Sequence, residues 1–150
     1  DLHIEQNKVL EERDIPLGIV KAICSALNFV VTVTGQAAHA GGMPMDVRKD
    51  AYTAACEMSL ALESLVRENR LSEYCTGTVG YVQLSPNAPN IIPGQVQFTV
   101  DIRDCNAASK DALMNAVQDE FQKIAEKRDI YMREFAARFM AEWDGADIDL

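Results

Sequence analysis

The side chains best suited to chemistry here are His3, His39, Asn90 and Arg103. In Leu2-His3-Ile4-Glu5-Gln6, an alternating strand would put His3 and Glu5 on one face and Gln6 on the other. A strand-end His can ligate a metal through a ring nitrogen. One His does not make a metal site, and on the residues alone a hydrogen-bonded surface His is the stronger reading. His39 sits among Gly and Ala, so large neighbours do not bury its ring. Such a His can polarise a carbonyl or stabilise an oxyanion; an ordinary loop His is an equal alternative. Asn90 offers an amide donor and an acceptor. Arg103 ends the polar face of a strand, where its planar fork is suited to clamping a carboxylate. Pattern alone favours a blander view of Arg103, a solvated residue beside a hairpin loop. Glu5, Asp101 and Asp104 lie near these elements, but no pair of them has a spacing that demands an acid–base role.

The element that must position Asn90 and Arg103 is the stretch Ser85 to Asp104. Its first ten residues hold three prolines, two asparagines and a glycine. That is turn chemistry, which excludes helix and holds the backbone in one shape. Its second half alternates: Val96, Phe98, Val100 and Ile102 point one way, and Gln97, Thr99, Asp101 and Arg103 the other. This is a half-buried strand. Asn28–Thr34, rich in β-branched residues, predicts the strand before His39. Leu2–Gln6 and Ile19–Ile23 read as further short β runs, and Val9–Asp14 as one helical turn.

Asp46 is expected to cap a helix running to about Glu68, with Ala51, Ala54, Ala55, Met58, Ala61, Leu62 and Leu65 on its apolar face. Thr76–Leu84 predicts a strand. Asn106 or Ser109 caps a helix over 107–128 whose buried stripe is Leu113, Val117, Phe121 and Ile124. Ile130–Phe139 predicts the last strand, with Tyr131, Phe135 and Phe139 on one face. From residue 28 the order is strand, helix, strand, strand, helix, strand. That is the α+β, ferredoxin-like split βαβ plan: a four-stranded antiparallel sheet with two helices on one face. The expected edges are 76–84 and 130–139.

A chain of 150 residues fits one domain with a sizeable core. The net charge of −9, with no basic stripe, argues against nucleic acid. No apolar run is long enough to span a bilayer and no signal peptide is visible, so no membrane partner is expected. Cys24, Cys56, Cys75 and Cys105 contain no Cys-x-x-Cys pair and are expected to be reduced thiols of a cytoplasmic protein. With them and two His there is no self-contained zinc motif. The abrupt start reads as a piece of something longer.

Three segments together resemble one family: Leu2-His3-Ile4-Glu5-Gln6; Gly35-Gln36-Ala37-Ala38-His39-Ala40-Gly41 with Pro44-Met45; and Pro86-Asn87-Ala88-Pro89-Asn90-Ile91-Ile92-Pro93-Gly94 with Asp101-Ile102-Arg103. Their order and spacing are similar to the allantoate amidohydrolase, N-carbamoyl-L-amino-acid hydrolase and β-ureidopropionase family. These are dinuclear-metal amidohydrolases related to aminoacylases and carboxypeptidases. The resemblance implies a catalytic domain interrupted by a ferredoxin-like lid that also forms the homodimer. It implies that His3 ligates one of two divalent metals, zinc or manganese, and that Gln6 and Asn90 contact substrate. It further implies that His39 stabilises the oxyanion in the partner subunit's site and that Arg103 grips the substrate carboxylate. The metal-bound water and the Glu that activates it would lie outside this chain. Asn7 stands where the family has Gly, and Gly42-Met43 where it has two threonines.

The expected domains are 1–24, a segment of the catalytic domain; 25–142, the lid and dimerisation domain; and 143–150, a return segment. The expected parent hydrolyses a ureido (N-carbamoyl) amide on a carboxylate-bearing substrate. The isolated chain should be inactive, should hold no metal tightly, and should dimerise through the 76–84 edge and the first long helix. An aminoacylase or dipeptidase of the same clan, and a stand-alone ferredoxin-like interaction module, are the alternatives.

Overall fold

The computed structural model describes residues 2–69 and 71–136, the last three by backbone alone. A single helical turn, α1 (Val9–Glu12), is followed by β1 (Ser25–Thr34), the short β2 (Ala38–His39) and α2 (Ala51–Glu68). Then come β3 (Thr76–Ser85), the short β4 (Ile91–Ile92), β5 (Gln95–Asp104), α3 (Ala107–Lys127) and β6 (Tyr131–Ala136). The main sheet has the order β3-β5-β1-β6, and every neighbouring pair in it is antiparallel. β2 and β4 form a separate two-stranded ribbon.

The alternation of β5 decides the layering. Val96, Phe98, Val100 and Ile102 are all buried on the helix side. Ala54, Met58 and Leu62 of α2 and Leu113, Val117 and Phe121 of α3 join them and Phe29, Val31 and Val33 of β1 in one core. Phe98 and Phe121 meet edge to face with ring centres 6.0 Å apart. Burying a side chain of this size contributes roughly 1.5–3 kcal/mol. Small Ala51, Ala54 and Ala55 let α2 approach the sheet closely. Among the described residues no helix covers the other face of the sheet, which carries Thr32, Gln97, Thr99, Asp101 and Arg103. The split βαβ plan, the strand order and both edges agree with the sequence reading.

Several boundaries differ. Asp50, not Asp46, caps α2: its Oδ1 accepts from the Tyr52 and Thr53 amides at 2.9 and 3.1 Å. Residues 45–47 form a separate 3-10 turn, so Asp46 lies upstream of the helix start. Asn106 caps α3 by accepting from the Ser109 amide. Residues 2–5 and 19–23 are not strands, because nothing among the described residues pairs with their backbones. β1 begins at Ser25, three residues early. The part of the last strand expected over 137–139, and the return segment 143–150, lie outside the described residues.

The cysteine reading needs a larger correction. Cys24 and Cys105 form a disulfide, while Cys56 and Cys75 are free. The antiparallel register explains the pairing: Ser25 faces Asp104, so the next residue outward on each chain brings Cys24 opposite Cys105. The cytoplasmic expectation loses the support it took from four reduced thiols.

Candidate functional site

His39 and Asn90 are brought together by the ribbon that extends one end of the sheet. β1 ends at Thr34, opposite Gln95, and the Gly35 amide donates to the Gly94 carbonyl at 2.8 Å. A Cβ on Gly35 would lie 2.0 Å from the Lys49 carbonyl oxygen, so only glycine lets the two backbones cross here. Beyond the crossing, Ala38 pairs with Ile92 and His39 with Ile91. The Ala40 amide then donates to the Asn90 carbonyl at 2.9 Å. Both side chains are exposed at this corner. The Gly41 amide donates to His39 Nδ1 at 3.1 Å. A nitrogen that accepts must carry the lone pair, so the neutral ring keeps its proton on Nε2. His39 therefore presents an N–H donor, the group an oxyanion needs.

Arg103 lies at the opposite end of β5, on the helix-free face. From Gln95 to Arg103 the strand rises about 26 Å, at about 3.3 Å per residue. Arg103 already grips a carboxylate: its Nε and Nη2 donate to Asp101, two residues back on the same face, at 2.9 and 2.8 Å. Asp101's hydrogen bond and charge raise the guanidinium's pKa further, so it stays charged. Asn28, Thr76, Thr78 and Tyr81 line the groove beside this pair.

The next residue, Asp104, points the other way and is fully buried. Its Oδ1 accepts from the Ser72 hydroxyl at 2.7 Å and the Asn106 amide at 2.9 Å. Burial pushes the Asp104 carboxyl up. The hydrogen bonds from Ser72 and Asn106, with contributions from Ser109 and Cys75, outweigh burial and hold it below the usual aspartate range. This knot, with the adjacent disulfide, anchors the end of β5 that carries Arg103.

His3 and Gln6 are brought to neither end. Both are exposed in the leading segment, which makes no strand pairing. Glu5 has a local role: it accepts from the Val9 and Leu10 amides, the first two of α1, at 3.1 and 2.9 Å. Among the described residues no group of three His, Cys, Asp or Glu could hold a metal ion. The donor set present therefore does not fit a metal centre. No described helix is long and apolar enough to cross a membrane. Sequence reasoning missed Asp101 as the partner of Arg103, the Gly41 amide and Arg48. For Asp101 a signal existed, since residues two apart on a strand share a face.

A four-stranded antiparallel sheet of this order with two helices on one face defines a ferredoxin-like α+β domain. Residues 22–129 match the family model described as the peptidase dimerisation domain, and the chain belongs to that family. Allantoate deiminase 1 of Glycine max is 36% identical over 146 residues, covering 87% of this chain and 30% of that protein. N-carbamoyl-L-amino acid amidohydrolase of Geobacillus stearothermophilus is 37% identical over 130 residues, covering 87% of this chain and 31% of that protein. The crystal structure of a hydantoinase/carbamoylase family amidase from Burkholderia ambifaria superposes with a TM-score of 0.84 at 37% identity, covering 89% of this chain and 32% of that one. The chain thus spans about 30% of the length of the relatives it matches. The resemblance to the allantoate and N-carbamoyl amino acid amidohydrolases holds.

Proposed function

We propose that this chain is the lid of a metal-dependent amidohydrolase that cleaves a linear ureido amide on a carboxylate-bearing substrate, such as allantoate or an N-carbamoyl amino acid. Residues 1–24 would belong to its catalytic domain, 25–142 to the lid and 143–150 to the return path. The two divalent ions, zinc or manganese, would be held by His3 together with residues elsewhere in the parent, with Gln6 near the substrate. The described residues by themselves gather no ligand set for them. On its own the chain is expected to be inactive and to bind no metal tightly.

The observation that carries this reading is the separation of Arg103 from His39 and Asn90 along β5. A ureido acid is roughly 8 Å long at ordinary bond lengths. It cannot touch both groups of one protomer across about 26 Å of strand. Two copies solve the problem. Among the described residues β3 is an edge strand, and it has no Lys, Arg or Pro over Thr76–Ser85, a combination that invites pairing with another strand. Thr76 lies beside Arg103 and Ser85 beside Gln95. A two-fold, antiparallel pairing of β3 with its copy sets the Thr76 end of one protomer against the Ser85 end of the other. That brings Arg103 of one subunit toward the His39–Asn90 corner of its partner. Alongside β3, Leu60 of α2 (66% exposed) and Val82 (46% exposed) form an apolar strip that the same pairing would cover.

In the closed site the roles follow from the donors. Arg103 holds the substrate carboxylate, exchanging its grip on Asp101 for the ligand. The Asn90 amide bonds the ureido group. His39, from the other subunit, donates Nε2–H to the oxygen that gains charge as the carbonyl becomes tetrahedral. The full-length parent should turn over N-carbamoyl amino acids faster than the matching N-acetyl amino acids. A preference for N-acetyl substrates would move the enzyme to the aminoacylases, and no turnover of either would favour a binding module.

A further inference from the structure

Arg48 has no assigned role, yet its side chain occupies the middle of the loop that carries His39. Its Nε donates to the Met43 carbonyl at 3.0 Å and its Nη2 to the Ala40 carbonyl at 2.6 Å. Between those two carbonyls the chain turns sharply, with the Gly42 and Met43 amides both donating to the His39 carbonyl at 3.1 and 3.2 Å. The turn folds Gly41 under the imidazole: a Cβ there would lie 3.2 Å from His39 Cε1. The same turn aims the Gly41 amide at His39 Nδ1. Arg48 is half-buried, so its charge-assisted bonds to the carbonyls are less screened than at an open surface.

We propose that Arg48 is a positioning residue for the reaction. Its planar guanidinium spans the Ala40 and Met43 carbonyls as a brace, and the brace keeps the Gly41 amide on Nδ1. Through that amide Arg48 sets which nitrogen of His39 carries the proton and where that proton points. A Lys at 48 offers a single compact ammonium and cannot reproduce the two divergent bonds of the fork. Arg48 itself does not touch substrate. Its loss is therefore expected in turnover rather than in binding, because only the transition state gains from a well-aimed donor.

This inference rests on the oxyanion role given to His39 above, and the test separates the two. In the full-length parent enzyme, kcat and KM are measured for H39A, R48A, R48K and the double variant H39A/R48A. The expected result is a fall in kcat of about 10- to 100-fold in R48A, with KM within about twofold, as for a misaimed catalytic group. R48K is expected to recover only part of that loss. In the H39A background R48A should cost nothing more, since there is no ring left to position. Should R48A fail to fold, R48K measured with and without H39A provides the same cycle. If H39A lowers kcat while R48A and R48K do not, or if the Arg48 loss persists undiminished without His39, the brace is refuted and the His39 role stands. If H39A leaves kcat unchanged, the oxyanion role falls and the positioning role with it.

Discussion

The two ends of β5 hold their candidate side chains by different means. At the Gln95 end, His39 and Asn90 stand on a ribbon fixed by backbone hydrogen bonds, a glycine crossing and the fork of Arg48 on two carbonyls. At the Asp104 end, Arg103 stands on a regular strand whose last residue is tied into a buried side-chain knot of Ser72, Asp104 and Asn106. The first arrangement aims a single donor. The second presents a charged fork on a rigid platform. A donor that must meet a developing charge needs aim, whereas a carboxylate clamp needs charge and firm footing. The difference suits one end to turnover and the other to binding.

That contrast can be broken by kinetics on the full-length parent. The largest effect is expected from H39A: kcat should fall by about 10²- to 10³-fold, the usual cost of an oxyanion donor, with little change in KM. R103A should do the reverse. Its main effect is expected in KM, raised about 10- to 100-fold by loss of charge-assisted hydrogen bonds to the carboxylate. Both variants changing the same parameter would erase the distinction between the ends.

A smaller effect sharpens the platform side. D104N keeps the size and an acceptor oxygen of Asp104 but removes the charge that strengthens its bonds from Ser72 and Asn106, and unfolding by urea should show a loss of about 1–3 kcal/mol. The sign with pH follows from the direction of the shift. The folded carboxyl is held below its unfolded value, so its contribution is present above the ordinary aspartate range of about 3.9 and is lost as pH falls through the folded value. D104N should flatten that acid limb of the stability profile. An unchanged acid limb would place the acid sensitivity in other carboxylates.

How far the sequence foretold this depends on the range of the interaction. The β5 alternation, the Ala-rich face of α2 and the Leu113, Val117, Phe121, Ile124 stripe are local periodicities set by burial, and each is found where expected. The strand order followed from the split βαβ plan. What was not legible arises from register between distant segments. The nearness of His39 and Asn90 depends on the β2–β4 pairing, and the Cys24–Cys105 bond on how β1 meets β5. Asp46 and Asp50 are equally good capping residues by type. Only the extended backbone at Asp50 and the turn at 45–47 decide between them. Leu2–Gln6 has strand-like alternation but no neighbouring strand, and alternation alone supplies no hydrogen-bond partner. The separation of Arg103 from His39 is plain once β5 is drawn as one straight strand, and the proposed demand for a second subunit rests on it.

The most direct measurement of that demand is subunit complementation. The full-length parent is prepared as H39A and as R103A, each nearly inactive at substrate concentrations well below the wild-type KM, and the two are mixed under conditions that exchange subunits and assayed at such a concentration. If His39 serves the partner's site while Arg103 serves its own, every mixed dimer has one intact site and one doubly damaged site. Equal mixing makes half the dimers hybrid, so activity should return to about a quarter of the wild-type value. If mixing restores nothing while sedimentation shows that hybrid dimers have formed, both residues act within one subunit and the two-ended account is wrong.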